Sequence, residues 1–241
     1  MLDDDCNDHS ADRLGQMPFT TQTFDRLGEF LGSQITQTSL WRGSCVAPAA
    51  PSSPVELASY LAGLKVHVQI APADRTDSAK LDRILRIAAD FTLNGQKRDL
   101  PEEEIDRLMA SGWCMRITVS DRLAAYGISG ILALRPTPDA LTVESMSLSC
   151  TVLGKQVEYA VLSALKQIAS DLKVDKIRFQ FNPTDRNQPT LRFLQTVSDR
   201  VSDTEFIVPV ALTEERLRDA AVNAGAWTIE LERGVAGSAG R

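Results

Sequence analysis

Residues 144–158 read ESMSLSCTVLGKQVE, and this stretch decides the fold. It begins as a strand, passes through a tight turn and opens a long amphipathic helix. The helix is predicted from about Leu153 to Asp171, with Val157, Val161, Ala164, Leu165, Ile168 and Leu172 on its buried face. A strand end, a glycine turn and a helix N-terminus together present free backbone N–H groups and the positive end of a helix dipole. Such a turn can hold a phosphate or the amide-rich arm of a pantetheine. Cys150 stands at its mouth, and Gly154 and Lys155 lie within it.

Working outward, the pattern stays ordered on both sides. Pro54–Gly63 reads as a short helix. Leu64–Ile70 alternates apolar and polar residues like a half-buried strand. Asp77–Phe91 sets Leu81, Ile84, Leu85, Ile87 and Ala88 on one helical face. Leu100–Met109 starts with Pro101 and three glutamates, as a helix first turn should. Strands are predicted at Trp113–Val119, Tyr126–Leu134 and Ala140–Ser149, the last after a Pro-Thr-Pro-Asp turn. Beyond the long helix come a strand at Lys176–Phe181, a helix at Pro189–Val197, a strand at Phe206–Val210, a helix at Glu214–Ala224 and a strand at Trp227–Leu231. That order predicts an α/β domain over residues 54–235: a mixed sheet with helices on both faces.

The ends are different in kind. Residues 1–53 open with an acidic run, include a short helix signal at Phe24–Leu31 and close on the Pro/Ala/Ser linker VAPAAPSSP. Residues 236–241 form a small-residue tail.

Composition narrows the function classes. The 241 residues are 43% hydrophobic and carry a net charge of −6, with no basic stripe of interleaved aromatics, so nucleic acid is not an expected partner. Cys6, Cys45, Cys114 and Cys150 form no CxxC pair, and His9 and His67 are the only histidines, so no metal site is expected. The polar start is unlike a signal peptide, and no apolar run reaches membrane-spanning length. A soluble cytoplasmic protein is the expectation.

The element order resembles the GNAT superfamily of N-acetyltransferases, whose acyl-CoA site lies at the turn between the fourth strand and the long helix. Its motif, Gln/Arg-x-x-Gly-x-Gly/Ala, falls on Thr151 to Gln156, where Gly154 alone matches. A more specific resemblance is to the C-terminal, acetyltransferase-like half of the FkbH-like family. Ser149-Cys150-Thr151-Val152-Leu153-Gly154, with Val157-Glu158, resembles SCRVLGRGVE. Asp121-Arg122 and Tyr126 to Gly130 resemble the DRFGDxGxxG hairpin, Pro183 to Asn187 resembles PTAKN, and Phe91, Leu93 and Lys97 echo FNLTTRR. The similarity covers residues 55–200.

That family joins a HAD-type phosphatase-like domain to this half and loads glyceryl units onto acyl carrier proteins for polyketide extender units. The resemblance implies an acyltransferase of secondary metabolism that uses the pantetheine thioester of CoA or of an acyl carrier protein. Here no DxD-type nucleophile motif followed by an α/β domain precedes residue 55, so dephosphorylation of a precursor by that route is not expected of this chain. Thr151 replaces the family's arginine, and Thr92, Asn94, Gly95 and Gln96 replace much of its Asn-Thr-Arg region.

Within this framework Cys150 is the candidate acyl-accepting thiol, activated by the helix N-terminus and Lys155; the alternative is a small buried residue at a strand end. Leu153, Gly154, Lys155, Gln156 and Val157 are the candidate pantetheine or phosphate cradle; otherwise Gly154 merely permits a tight turn. Thr184 is a further candidate for binding the pantetheine, and Asn187 is a candidate for orienting the thioester, or an N-cap. Glu158 and Glu144 are candidate bases, or solvated charges. Lys173, Lys176, Arg178, Arg186 and Arg192 are a candidate landing patch for a carrier protein. Two other functions remain open: a non-catalytic module that docks a carrier protein or phosphatase-like subunit, and a direct-transfer N-acyltransferase using acyl-CoA.

Overall fold

The structure, a computed structural model, describes residues 53–88, 90–94, 102–221 and 227–232. The helix signal at Phe24–Leu31, the linker up to residue 52, Lys97 and the C-terminal tail lie outside these residues.

The first helix, α1 (Pro54–Leu64), is set by sequence at both ends. Ser53 caps it, its Oγ accepting from the Glu56 N–H at 3.2 Å, with proline in the first turn, and Lys65 ends it in the left-handed region at φ 52°. Strand β1 (Val66–Pro72) follows with Val66, Val68 and Ile70 buried. A 3₁₀ turn at Arg75–Asp77 leads into α2 (Ser78–Ile87), fixed by a reciprocal Asp74–Asp77 capping box. The remaining elements are α3 (Glu102–Ser111), β2 (Cys114–Ser120), β3 (Ala125–Pro136), β4 (Leu141–Leu148), α4 (Val157–Asp171), β5 (Lys176–Gln180), α5 (Gln188–Val197), β6 (Asp199–Arg200), β7 (Glu205–Pro209), α6 (Thr213–Ala220) and β8 (Trp227–Leu231).

The strands form one eight-stranded mixed sheet in the order β6-β7-β5-β4-β3-β2-β1-β8. The β1–β8 and β4–β5 pairs are parallel and the rest antiparallel. Leu81, Ile84, Leu85 and Ala88 of α2 and its flank cluster with Cys114, Ile131 and Ala133 on one face of the sheet. Helix α4 packs against β1, β5 and β8, with α6 against both α4 and α5. The expected mixed α/β sheet is therefore what the chain forms. Tight packing at the centre explains Gly130: a Cβ there would stand 2.7 Å from the Leu148 side chain and 2.8 Å from the Ser147 carbonyl.

Three expectations are corrected. Helix α4 begins at Val157, not near Leu153, because Cys150–Val152 forms a 3₁₀ turn and Gly154 and Gln156 take positive φ, which a helix cannot continue through. Leu172 is 36% exposed rather than buried, since α4 ends at Asp171 and the chain turns through a left-handed Lys173. Helix α2 ends at Ile87 rather than running to Phe91, because Ala88 leaves the helical region at ψ 75°.

Strands β4 and β5 pair only through Leu141–Val143 and Ile177–Phe179, whereas β4 runs on to Leu148. Beyond Val143 the gap beside β4 is filled by Phe91–Asn94. Leu93 N–H donates to the Met146 carbonyl at 3.1 Å, Leu148 N–H to the Phe91 carbonyl at 3.0 Å, and Asn182 N–H to the Leu93 carbonyl at 2.7 Å.

Candidate functional site

Strand β4 delivers the chain to the turn through a hydrogen bond from Ser149 N–H to the Ser129 carbonyl at 2.7 Å. The Ser149 hydroxyl then accepts from Thr151 N–H, capping the 3₁₀ turn that begins with Cys150. The Cys150 thiol is free and exposed. Of the two alternatives for this residue, the small buried one is set aside by that exposure. Cys114 is the contrasting case: it is buried under α2, and burial pushes its thiol up to about 12, which keeps it protonated.

Next comes the start of α4. Gly154 has φ 79° and Gln156, its N-cap residue, φ 63°. Glycine adopts this region freely, but glutamine is strained there by roughly 1–2 kcal/mol. The Gln156 side chain forms no cap bond; the backbone carbonyl of Gln156 accepts from both Tyr159 and Ala160 N–H, at 3.2 and 3.3 Å. The first amides of this 15-residue helix thus receive no side-chain cap, in contrast with α1. Gln156 is 95% buried, and its Oε1 is sealed from solvent with no hydrogen-bond partner. Two residues on, Glu158 Oε2 is likewise sealed and unpartnered. Burial pushes the Glu158 carboxyl up to about 7, so that it exchanges a proton near neutrality. Burial first, and the Glu158 charge second, also push the neighbouring Tyr159 hydroxyl up.

The structure gives other predicted residues different surroundings. Lys155 Nζ lies 2.9 Å from Asp121 Oδ2, with the carboxylate side chain fully sealed, and 5.0 Å above the Tyr126 ring. Tyr126 donates its hydroxyl hydrogen bond to the same carboxylate at 3.0 Å. Burial alone would raise the Asp121 carboxyl; the Lys155 hydrogen bond and the Leu123 and Ala124 amides outweigh it and hold Asp121 below the usual range. Lys155 is therefore tied to the β2–β3 turn. Val157 is fully buried, backbone included, and Leu153 is half-buried.

Asn187 has no exposed surface. Its Oδ1 accepts from Thr184 N–H at 2.7 Å, and its Nδ2 donates to the carbonyls of Thr92 at 3.1 Å and Asn182 at 2.9 Å. It makes no side-chain cap bond to α5. Asn187 does stand at the N-cap position of α5, as the alternative reading expects, but its side-chain amide is used to join the β5–α5 loop to the inserted segment. The Thr184 hydroxyl accepts from Asn187 N–H at 3.2 Å within the same turn. Glu144 pairs with Arg135 at 2.5 Å. Of the proposed landing patch, Arg178 pairs with Asp139 and Glu205, and Arg186 with Asp90.

A polar cavity of about 530 Å³ is lined by Asn94 of the inserted segment together with Arg178, Gln180, Phe181, Asn182, Thr204 and Glu205; Cys150 and Glu158 do not line it. Among the described residues, no group of three His, Cys, Asp or Glu side chains could hold a metal ion, and no helix is long and apolar enough to cross a membrane.

No protein-family model matches the chain, and no curated protein matches it. It is similar to several solved structures. One is a GNAT-family acetyltransferase from Desulfovibrio desulfuricans, at 13% identity over 60% of this chain and 99% of that one, TM-score 0.46. Another is an N-acyl amino acid synthase from uncultured soil microbes, at 8% identity over 65% and 97%, TM-score 0.46. A third is an N-acetyltransferase from Thermoplasma acidophilum in complex with coenzyme A, at 14% identity over 58% and 96%, TM-score 0.40.

Proposed function

We propose that this chain is a GNAT-like, FkbH-like acyltransferase of polyketide or other secondary metabolism. It would exchange an acyl group, such as a glyceryl unit, between pantetheine thioesters of CoA or an acyl carrier protein in the cytoplasm. The observation that carries the reading is the uncapped start of α4, led by left-handed Gly154 and Gln156, one turn after an exposed free thiol at Cys150. A helix start with no side-chain cap would suit a phosphate.

In the covalent route the Cys150 thiol gives up its proton and its sulfur attacks the thioester carbonyl. The new carbon–sulfur bond forms, the bond to the pantetheine sulfur breaks, and that sulfur leaves and takes up a proton. The exposed thiol can release its proton to solvent; Glu158, whose carboxyl burial raises to about 7, is the candidate base carried over from the sequence.

A second reading has specific support. Lys155, Thr184 and Asn187 are all engaged by protein partners, as expected of a non-catalytic module that docks a carrier protein or a separate phosphatase-like subunit. Intact-mass spectrometry separates the two. Wild type and Cys150→Ser are incubated with acyl-CoAs and acylated carrier proteins. A gain of one acyl mass in wild type alone supports covalent transfer. Carrier binding with no gain and no turnover supports the module.

A further inference from the structure

The filled gap between β4 and β5 bears on how a thioester would reach Cys150. Thr92 bridges to Ser147 of β4, and the Ser147 hydroxyl donates to Thr92 Oγ1 at 2.9 Å. Asn94 Nδ2 donates to the Glu144 carbonyl at 3.0 Å. On the other side the segment is held by Asn182 N–H and by the Asn187 amide. Phe91, Thr92 and Leu93 are 3%, 5% and 1% exposed, and Phe91 packs on Phe193 at 5.7 Å between ring centroids. A segment so deeply packed and bonded on both edges is a fixture of the sheet, not a loose loop.

A strand edge with free N–H and C=O groups would accept an extended chain carrying amides, and a pantetheine arm carries two. Here the Met146 carbonyl and the Leu148 N–H on that edge are already taken. We infer that Phe91–Asn94 is a bar that excludes the pantetheine arm from the β4 edge, with Asn187 as the positioning residue that sets it. The arm therefore lies along the outer surface, toward the exposed Cys150, and its ligand is held mainly through phosphate at the start of α4. Specificity follows: the nucleotide end of CoA dominates recognition, and the arm adds little. This rests on the reading of the α4 turn as the phosphate site.

The test compares CoA, 3′-phospho-ADP (CoA without its arm) and pantetheine by calorimetry. It is combined with residue-resolved hydrogen exchange on wild type, Asn187→Ala and Phe91→Ala. In wild type, CoA and 3′-phospho-ADP should bind within about threefold of one another, and pantetheine alone should show no heat. In both variants the Leu93 and Leu148 amides should exchange faster, and CoA should gain about tenfold over 3′-phospho-ADP as the arm finds the freed edge. A wild-type preference for CoA of about tenfold or more, with new protection at residues 144–148, overturns the bar. So does unchanged exchange in both variants. If neither nucleotide binds, the phosphate reading falls, while the exchange measurement still decides whether Asn187 sets the segment.

Discussion

Lys155 and Gln156 are neighbours in sequence and are almost equally buried, yet their polar atoms fare differently. The Lys155 ammonium meets a sealed carboxylate at 2.9 Å, and the aromatic face of Tyr126 covers it. Gln156 sits in a strained left-handed conformation with a sealed, unpartnered oxygen, and Glu158 repeats the deficit two residues later. Native proteins pair nearly all their buried polar groups, and the exceptions concentrate at sites of function. Satisfied groups around Lys155 and Asn187 hold the scaffold, whereas the start of α4 carries two sealed oxygens that add nothing to it.

The comparison can be broken by substitution. Lys155→Met strands the Asp121 carboxylate without its cation and should cost about 4 kcal/mol in urea unfolding. The double variant with Asp121→Asn should recover part of that loss; full additivity would contradict a coupled pair. Asn187→Ala leaves the Thr92 and Asn182 carbonyls and the Thr184 N–H without their partner and should cost about 3 kcal/mol.

At the unsatisfied turn the sign reverses. Glu158 binds its proton more tightly folded than unfolded, its carboxyl being raised from 4.5 to about 7. Between those values the unfolded chain has lost the proton and the native chain has kept it, so stability falls as pH rises from 4.5 to about 7 and then levels off. Glu158→Gln should remove that slope and raise stability at pH 8 by about 2 kcal/mol. A wild-type slope that survives the substitution would assign the titration to another group. Gln156→Gly should gain about 1 kcal/mol by relieving the positive φ. A loss would mean that the glutamine side chain supports the fold.

How much of this the sequence showed depended on distance along the chain. The order of the strands and helices was legible because alternation in β1 and the helical spacing in α2 are local signals. The α4 turn was found from Cys150 and Gly154, but its register was not, since nothing local marks a glutamine as left-handed. The Lys155–Asp121 pair joins residues 34 apart and Asn187 reaches Thr92 across 95, so neither could be read from spacing. The helical spacing from Asp77 runs up to Phe91, and nothing local marks Thr92–Asn94 as part of the sheet. Its place in the sheet is set by β4 and by Asn182 beyond β5, both remote in sequence.

The central claim is that the first turn of α4 is the ligand site, and an amide-resolved NMR titration with CoA tests it most directly. The account predicts the largest shifts at Gly154, Gln156, Val157 and Glu158, with the Cys150 signal moving alongside them. Shifts confined to other parts of the domain, or none at saturating CoA, would contradict it.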